Sequence, residues 1–388
     1  MRYFDHNATS PLCAAARDAW LAATEEYIGN PSSPHRLGSR AEVALDHARE
    51  SLGGMLGCAA HEIVWTSGAT ESTNAAIHNF AESEAGEIWI SAIEHPAVHQ
   101  AARHWHRAER VRMIPVTPQG VVDLAWIEDA LRTTRPSLIA VMAANNETGV
   151  IQPWREVLSL CEAAKVPLLC DAAQWTGKLP AQGLGKCHLV AGCAHKFGGP
   201  QGVGFLKIDR ALRPLLFGGE QEDGRRAGTE NVAGVLAMLA ALHCREEEMA
   251  AGGCELRERW RSDFVARLEE ALPDCQVVGR DAAALWNTVS VVMPEIDCRR
   301  RWVVALDKAG FAVSTGSACA SGKEKPSHVL EAMGYSPALA SRVLRFSSGW
   351  STAKAEWDEL LAGLKDVVQT NASPAVHRRG DEGVHSTR

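Results

Sequence analysis

The sequence has no apolar run long enough to cross a bilayer, so we expect neither a membrane-spanning helix nor a membrane partner. Residues 1–7 also lack the charged and apolar regions of a secretory signal, and we therefore expect a cytoplasmic protein. Positive charge is not in excess either, because the formal net charge is −7 at pH 7. Nucleic-acid-binding proteins usually carry a basic surface, so we expect no nucleic-acid partner.

Pairing signals among the cysteines are missing as well. The eleven cysteines include no C-x-x-C pair and are scattered from Cys13 to Cys319, which indicates neither a disulfide framework nor a zinc site. Each is most simply interpreted as a small buried hydrophobic residue. Cys319 does not fit that interpretation, because Gly, Ser and Ala flank it on both sides and predict a loop. How reactive this thiol is depends on its pKa, which the mixed charges at 323–325 leave open.

The 388 residues are too many for one ordinary core and suit a large and a small domain. Through the first 250 residues, short β-rich runs alternate with helix-length amphipathic stretches. This alternation of strands and helices predicts an α/β fold with a largely parallel sheet covered on both faces. The predicted strands are 62–66, 87–90, 111–116, 138–143, 166–170 and 189–193, and the helices are 70–80, 96–107, 124–131 and 153–164.

The second part of the chain has a different order of predicted helices and strands. A long charged helix is predicted over 232–272, followed after Pro273 by strands 285–293 and 311–314 and helices 300–309 and 352–368. This pattern predicts a smaller α+β domain. We place the boundaries at 1–14 for an N-terminal segment joining the small domain, 15–255 for the large domain, 256–369 for the small domain and 370–388 for a polar, disordered tail.

Three loops of the large domain carry candidate chemistry. In residues 65–72 a strand runs through a small-residue turn at Gly68 into a helix, which favours an anion site because backbone N–H groups are exposed there. Asp171 ends an apolar strand, where its carboxylate, taken alone, is most simply a helix N-cap, but it could also pair with a cation such as a protonated pyridine nitrogen. Lys196 follows another buried strand, where desolvation would lower its pKa and free the amine for a Schiff base. An Asp and then a Lys 25 residues later, beside a phosphate turn, is the pattern of pyridoxal-phosphate enzymes.

At this point the sequence closely resembles the cysteine desulfurases of the nitrogen-fixation and iron–sulfur-cluster type, within the class V aminotransferase family. The resemblance covers about 3–368 and rests on many motifs in order. They are Asn7-Ala8-Thr9, Gly29-Asn30-Pro31-Ser32-Ser33, Thr66-Ser67-Gly68-Ala69-Thr70-Glu71, Glu94-His95-Pro96-Ala97, Asn145-Asn146-Glu147-Thr148-Gly149, Ala194-His195-Lys196-Phe197-Gly198-Gly199-Pro200, Gly224-Arg225-Arg226-Ala227-Gly228-Thr229-Glu230-Asn231, Gly316-Ser317-Ala318-Cys319 and Leu344-Arg345-Phe346-Ser347.

The resemblance implies the pyridoxal-phosphate fold type I, with a mainly parallel seven-stranded sheet in the large domain. It also implies a role for each matched residue. Lys196 would form the Schiff base with pyridoxal 5'-phosphate and shuttle the α-proton, and His95 would stack on the ring and exchange protons. Asp171 would pair with the ring nitrogen and Gln174 with the ring oxygen. The phosphate would be held by Ala69, Thr70, Cys193 and His195, with Thr229 reaching in from the second subunit of a homodimer. Asn146 and Arg345 would hold the substrate carboxylate, and Asn146 would also contact the cofactor.

The implied activity is that of a sulfurtransferase acting on L-cysteine. Cys319 would attack the substrate sulfur as a thiolate and become a persulfide, while the remaining fragment leaves as L-alanine. The stretch from Cys319 through 327–330 looks like the long form of the family's loop, which passes sulfur to an iron–sulfur scaffold or sulfur carrier protein. We expect no resident metal, with Cys319 at most a transient iron–sulfur ligand.

Two departures and two alternatives accompany this interpretation. The family commonly has Ser where Cys193 stands and His where Glu220 stands, and since a thiol is a weak donor we expect a less tightly held cofactor. One alternative keeps the scaffold: a selenocysteine lyase, an aminotransferase or a kynureninase-like enzyme. A loop thiol like Cys319 argues against plain transamination. The other is a non-catalytic scaffold for iron–sulfur assembly, against which the retention of Lys196 and Asp171 argues.

Overall fold

A central seven-stranded sheet organises the larger part of the molecule. The computed structural model describes residues 1–81, 86–294, 299–315 and 327–371. The strands of the sheet are β2 (Ile63–Thr66), β3 (Ile88–Ser91), β4 (Val111–Ile114), β5 (Leu138–Ala140), β6 (Leu168–Asp171), β7 (Leu189–Cys193) and β8 (Gly204–Ile208). Their spatial order is β2-β8-β7-β6-β5-β3-β4, and all pairs are parallel except the two made by β8. The predicted mainly parallel sheet is thus confirmed.

Both faces of the sheet are buried, which explains why its strands appear as nearly continuous apolar runs. Neighbouring side chains on one strand enter opposite cores: in β2, Trp65 joins one core and Val64 the other. The first core also contains residues of α2 (Arg36–Leu56), α6 (Trp154–Ala164) and α7 (Val232–Ala250), and the second those of α3 (Ala69–His78) and α4 (Pro96–Trp105). Two further helices, α1 (Ala14–Glu26) and α5 (Leu124–Leu131), complete this part of the chain.

A second unit has its own sheet and core. Its antiparallel strands are β9 (Gln276–Val277), β10 (Thr288–Val292) and β12 (Val343–Ser347), and a separate parallel pair joins β1 (Arg2–Tyr3) to β11 (Phe311–Ala312). Its helices are α8 (Gly253–Ala271), α9 (Arg299–Lys308), α10 (His328–Ala332), α11 (Pro337–Ala340) and α12 (Lys354–Asn371). Phe4 lies in this core, against Trp357. The domain boundaries stay a prediction, and most of the expected tail, 372–388, lies outside the described residues.

The structure corrects one predicted element and contains others that were not predicted. The single helix over 232–272 is wrong: α7 ends at Ala250 and α8 begins at Gly253, because Gly252 adopts a left-handed backbone with φ of 79° that stops the first helix. The strand β8 was not predicted, although it lies in the middle of the sheet. Within the ranges given above, no helix is long and apolar enough to span a membrane.

Candidate active site

A cavity of about 520 Å³ opens at the carboxyl edge of the parallel strands, where α/β proteins place their ligands. Strand β7 leads into the turn that carries Lys196, β6 ends in Asp171, and His95 follows β3. Ten of the twelve predicted site residues line this cavity: Ala69, Thr70, His95, Asn146, Asp171, Gln174, Cys193, His195, Lys196 and Arg345. Residues more than 270 positions apart in the sequence therefore meet in one cleft.

The Lys196 amine is held in place by backbone carbonyl groups. Its Nζ donates hydrogen bonds to the carbonyl oxygens of Asn7, at 2.6 Å, and Ala8, at 2.9 Å. Burial lowers the pKa of this amine, and the nearby Arg345 guanidinium acts in the same direction. A lowered pKa increases the fraction of neutral amine, which is the form that attacks an aldehyde. The position and the electrostatics both suit Schiff-base formation.

Asp171 is a buried carboxylate at the end of β6. One oxygen accepts a hydrogen bond from the Ala173 amide at 2.9 Å. Burial raises the pKa of this carboxyl group, while that amide, His95 and Lys196 pull it down. Burying an ionised carboxylate is unfavourable unless a cation accompanies it. A protonated ring nitrogen placed against Asp171 would provide that cation.

The hydrogen bonds of His95 decide which ring nitrogen faces the cavity. His95 caps helix α4, and its Nδ1 accepts a hydrogen bond from the Ala97 amide at 3.1 Å. Burial lowers the pKa of the imidazole, so the neutral ring is favoured. Because Nδ1 accepts, the proton of a neutral ring is assigned to Nε2. His95 therefore presents an N–H donor to whatever occupies the cleft.

An anion cradle lies at the start of helix α3. The helix begins at Ala69, and Gly68 before it has φ of 151°, a conformation that residues with a Cβ rarely adopt. The amides of the first helical turn have no partner within the helix and attract anions. Cys193 and His195 line the same region, and burial raises the pKa of the Cys193 thiol to about 11. Cys193 is therefore an uncharged thiol that does not repel a phosphate.

Arg345 lies on the side of the cavity formed by the second unit. It is 1% exposed, and its guanidinium donates to Asp5 Oδ1 at 2.6 Å and to the Asn146 carbonyl at 2.9 Å. A guanidinium can bind a carboxylate through two parallel N–H groups. The Arg345 guanidinium, beside Asn146 in the same cavity, is therefore chemically able to bind an anionic group.

Asn7 was missed as a site residue by the sequence analysis, although it belongs to one of the quoted motifs. Its side-chain oxygen accepts hydrogen bonds from Lys178 at 2.9 Å and Asn287 at 3.0 Å, and its Nδ2 donates to the Asn146 carbonyl at 3.1 Å and to Thr288 at 2.9 Å. This one side chain therefore joins the N-terminal segment to both packing units beside Lys196. Its position in a motif was the only sequence signal.

Two predicted site residues are not brought to this cavity. Thr229 is exposed and does not line it. Cys319 lies outside the described residues. Of the described residues next to its segment, Ser314 pairs with the backbone of Arg345, and Ser327 donates a hydrogen bond to Glu147 at 2.5 Å.

The residues present fit pyridoxal phosphate. The cleft combines an amine of lowered pKa, a buried carboxylate, an N–H donor on His95 and a helix N-terminus able to bind a phosphate. No cluster of three or more His, Cys, Asp or Glu side chains arranged to hold a metal ion occurs in the part of the chain that the structure describes.

Comparison with known proteins supports the same interpretation. The family model for "Aminotransferase class-V" matches residues 2–360. A cysteine desulfurase of Klebsiella pneumoniae is 37% identical over 372 residues, which cover 94% of this chain and 92% of the relative. Among solved structures, a NifS-like protein aligns with a TM-score of 0.86 at 31% identity over 95% of this chain and all of its own. A structure of SspA in complex with cysteine aligns with a TM-score of 0.77 at 28% identity, over 91% and 100% of the two chains.

These matches extend over nearly the full length of the described fold, and they confirm the predicted fold class and family resemblance. The chain belongs to the class-V aminotransferase family.

Proposed function

We propose that this chain is a pyridoxal-phosphate-dependent cysteine desulfurase that converts L-cysteine to L-alanine and places the sulfur on Cys319. The enzyme class, the function and the cofactor agree with its family and with its cysteine desulfurase relatives. The observation that carries the proposal is the meeting of Lys196, Asp171 and His95 in one cleft beside an anion cradle. The roles of individual residues are our own assignment.

Each residue has a task that its surroundings support. When bound, pyridoxal phosphate supplies an electron-withdrawing ring that stabilises negative charge at the substrate's α-carbon. Lys196 would hold the cofactor through its amine, and as a neutral amine it would take the α-proton of the substrate. The Asp171 carboxylate holds the ring nitrogen protonated, and Nε2 of His95 exchanges a proton with substrate or product. Gln174 donates an N–H to the ring oxygen.

Binding is shared between the two ends of the cleft. At one end, the amides of Ala69 and Thr70, together with Cys193 and His195, hold the phosphate. At the other, Asn146 and Arg345 hold the substrate carboxylate, which requires the guanidinium to exchange Asp5 for the substrate.

The sulfur step needs a second thiol. The Cys319 thiolate attacks the substrate sulfur, the bond between that sulfur and the substrate's β-carbon breaks, and the β-carbon takes a proton to give alanine. The product on the protein is a Cys319 persulfide. Cys193 is unsuited to this attack, because burial holds its pKa near 11 and the thiolate is scarce at neutral pH. From Cys319 the sulfur passes to an acceptor protein for iron–sulfur or thio-cofactor synthesis.

We also propose a homodimer that works in the cytoplasm. Thr229 is exposed, and the side chain of Phe217 is 84% exposed. Both residues lie in the segment between β8 and α7, and their exposure favours a surface for a second subunit there. Nine cysteines of the described residues are free thiols, which a reducing compartment preserves. A sedimentation experiment that found only monomeric holoenzyme would contradict the dimer.

The decisive experiment tests the role of Cys319 and the role of the cofactor site independently. We expect C319A to bind pyridoxal phosphate with an unchanged absorption spectrum but to form no persulfide and to release no sulfide from L-cysteine. We expect K196A to lose the Schiff-base absorption itself. The matched control is C275A, since Cys275 lies in the second unit away from the cleft and its thiol has a pKa raised by burial to about 11. Unchanged sulfide production by C319A would refute the assignment.

A further inference from the structure

A second lysine lies buried directly behind the cleft. Lys178 is 2% exposed, and its Nζ donates hydrogen bonds to Asn7 Oδ1 at 2.9 Å and to Gln174 Oε1. Burial drives the pKa of this amine well below its usual value, and the neighbouring charges of Lys196 and Arg345 act in the same direction. A buried amine is costly, and the chemistry proposed above gives it no task.

The hydrogen bonds fix which end of the Gln174 amide faces the cavity. Its Nε2 donates to the Asn7 carbonyl oxygen at 3.0 Å, and a carbonyl oxygen can only accept. Its Oε1 faces Lys178, whose Nζ donates to it. Rotating the amide by 180° would break the bond from Nζ to Oε1 and would place the amide oxygen against the Asn7 carbonyl oxygen, which cannot donate. The amide is therefore held in one orientation from both ends.

Only one of the two Nε2 hydrogens is used by the Asn7 carbonyl. Gln174 is itself 4% exposed and lines the cavity, so the second hydrogen is available to an acceptor bound there. The Asn7 side chain that takes the other bond from Lys178 is equally fixed, since its Nδ2 donates to the Asn146 carbonyl at 3.1 Å. Lys178 is thus attached to a rigid frame and cannot follow a rotated amide.

We propose that Lys178 is a positioning residue that holds the Gln174 amide so that Nε2–H faces the ring oxygen of the cofactor. This inference rests on the proposed role of Gln174, and it goes beyond it by naming the group that enforces the orientation. The alternative is a lysine that acts on the cofactor directly through its charge. A third possibility is a lysine that only stabilises the fold.

A double-mutant cycle distinguishes these roles. The variants are K178M, which keeps the length of the side chain but removes the donor, Q174A, and the double variant. Apo-protein is titrated with pyridoxal phosphate and followed by tryptophan fluorescence, and the ratio of the two visible bands of the bound cofactor is recorded at one fixed pH. We expect K178M to weaken cofactor binding about tenfold, equivalent to 1.4 kcal/mol, and to change the band ratio. When Gln174 is already alanine, K178M should change both the cofactor affinity and the band ratio by less than about twofold.

Each other outcome overturns a specific statement. If Q174A leaves both quantities unchanged, the role of Gln174 is wrong and the inference fails with it. If Q174A changes them but K178M does not, Gln174 keeps its role and Lys178 only supports the fold. If K178M has its full effect in both backgrounds, the lysine acts by charge and not through Gln174. The control is K186M, an exposed lysine that does not line the cavity, which should match wild type. K178L takes the place of K178M in the same cycle if K178M does not fold.

Discussion

Replacing Asn7 with alanine tests whether one side chain ties the cleft together. The change removes four hydrogen bonds: those to Lys178, Asn287 and Thr288 are buried, and the one to the Asn146 carbonyl is partly buried. Each buried hydrogen bond contributes about 1 kcal/mol net, so we expect a loss of about 4 kcal/mol in the free energy of unfolding. This is a large part of the stability of a typical domain.

The loss in unfolding free energy caused by N7A depends on how many of the former partners of Asn7 are left without any hydrogen bond. Lys178 keeps Gln174 as its acceptor, and the Asn146 carbonyl keeps the Arg345 guanidinium as its donor. Asn287 keeps the carbonyl of Ser348. Because none of these three groups loses its last partner, the loss should stay near 4 kcal/mol and not approach the larger values expected for wholly unpaired buried groups.

The assay is urea unfolding of the purified apo-protein, followed in parallel by tryptophan fluorescence and far-ultraviolet circular dichroism so that coincident transitions can be verified. The matched control is N74A, which removes a single bond from Nδ2 to the Thr70 carbonyl at 2.8 Å near the surface. We expect N74A to lose no more than about 1 kcal/mol. A loss for N7A within about 1 kcal/mol of the control value would refute the view of Asn7 as a hub.

Three further predictions follow from single sites. C193S should bind pyridoxal phosphate about threefold more tightly in a fluorescence titration, because a hydroxyl donates to phosphate better than a thiol; equal or weaker binding would contradict this. G177A should lose at least ~2 kcal/mol more in the free energy of unfolding than G183A. Both glycines have positive φ, but only at Gly177 would an added Cβ lie 2.3 Å from Phe197 Cβ. Equal losses in the two variants would argue against this clash. Burial lowers the pKa of His6 to about 4 in the folded protein, whereas the unfolded chain binds its proton near 6.5, so stability is lost as pH falls from 6.5 towards 4. H6N should reduce the difference in unfolding free energy between pH 7 and pH 5 by about 1–2 kcal/mol, and an unchanged pH dependence would refute this.

Local sequence patterns predicted most of the helices and strands. The strand at 189–193 and the helix at 124–131 were predicted with the observed bounds, because apolar periodicity and turn residues act over a few positions. Strand β8 was not recognised, since its central place and its antiparallel direction depend on pairing with β2 and β7, which come from distant parts of the chain. The break between α7 and α8 had a signal in Gly252 and Gly253, but the charged pattern on either side continued through it.

The family and the fold class could be predicted from the sequence, and candidate residues for the chemistry could be named, because motifs such as those around Lys196 and Asp171 are local and dense. The way in which these residues are held depends on the folded structure. The orientation of Gln174, the proton position on His95 and the burial of Lys178 depend on contacts between residues that are far apart in the chain. Hydrogen-bond direction and desolvation are set by all the neighbours of a group together, and those neighbours exist only once the chain has folded.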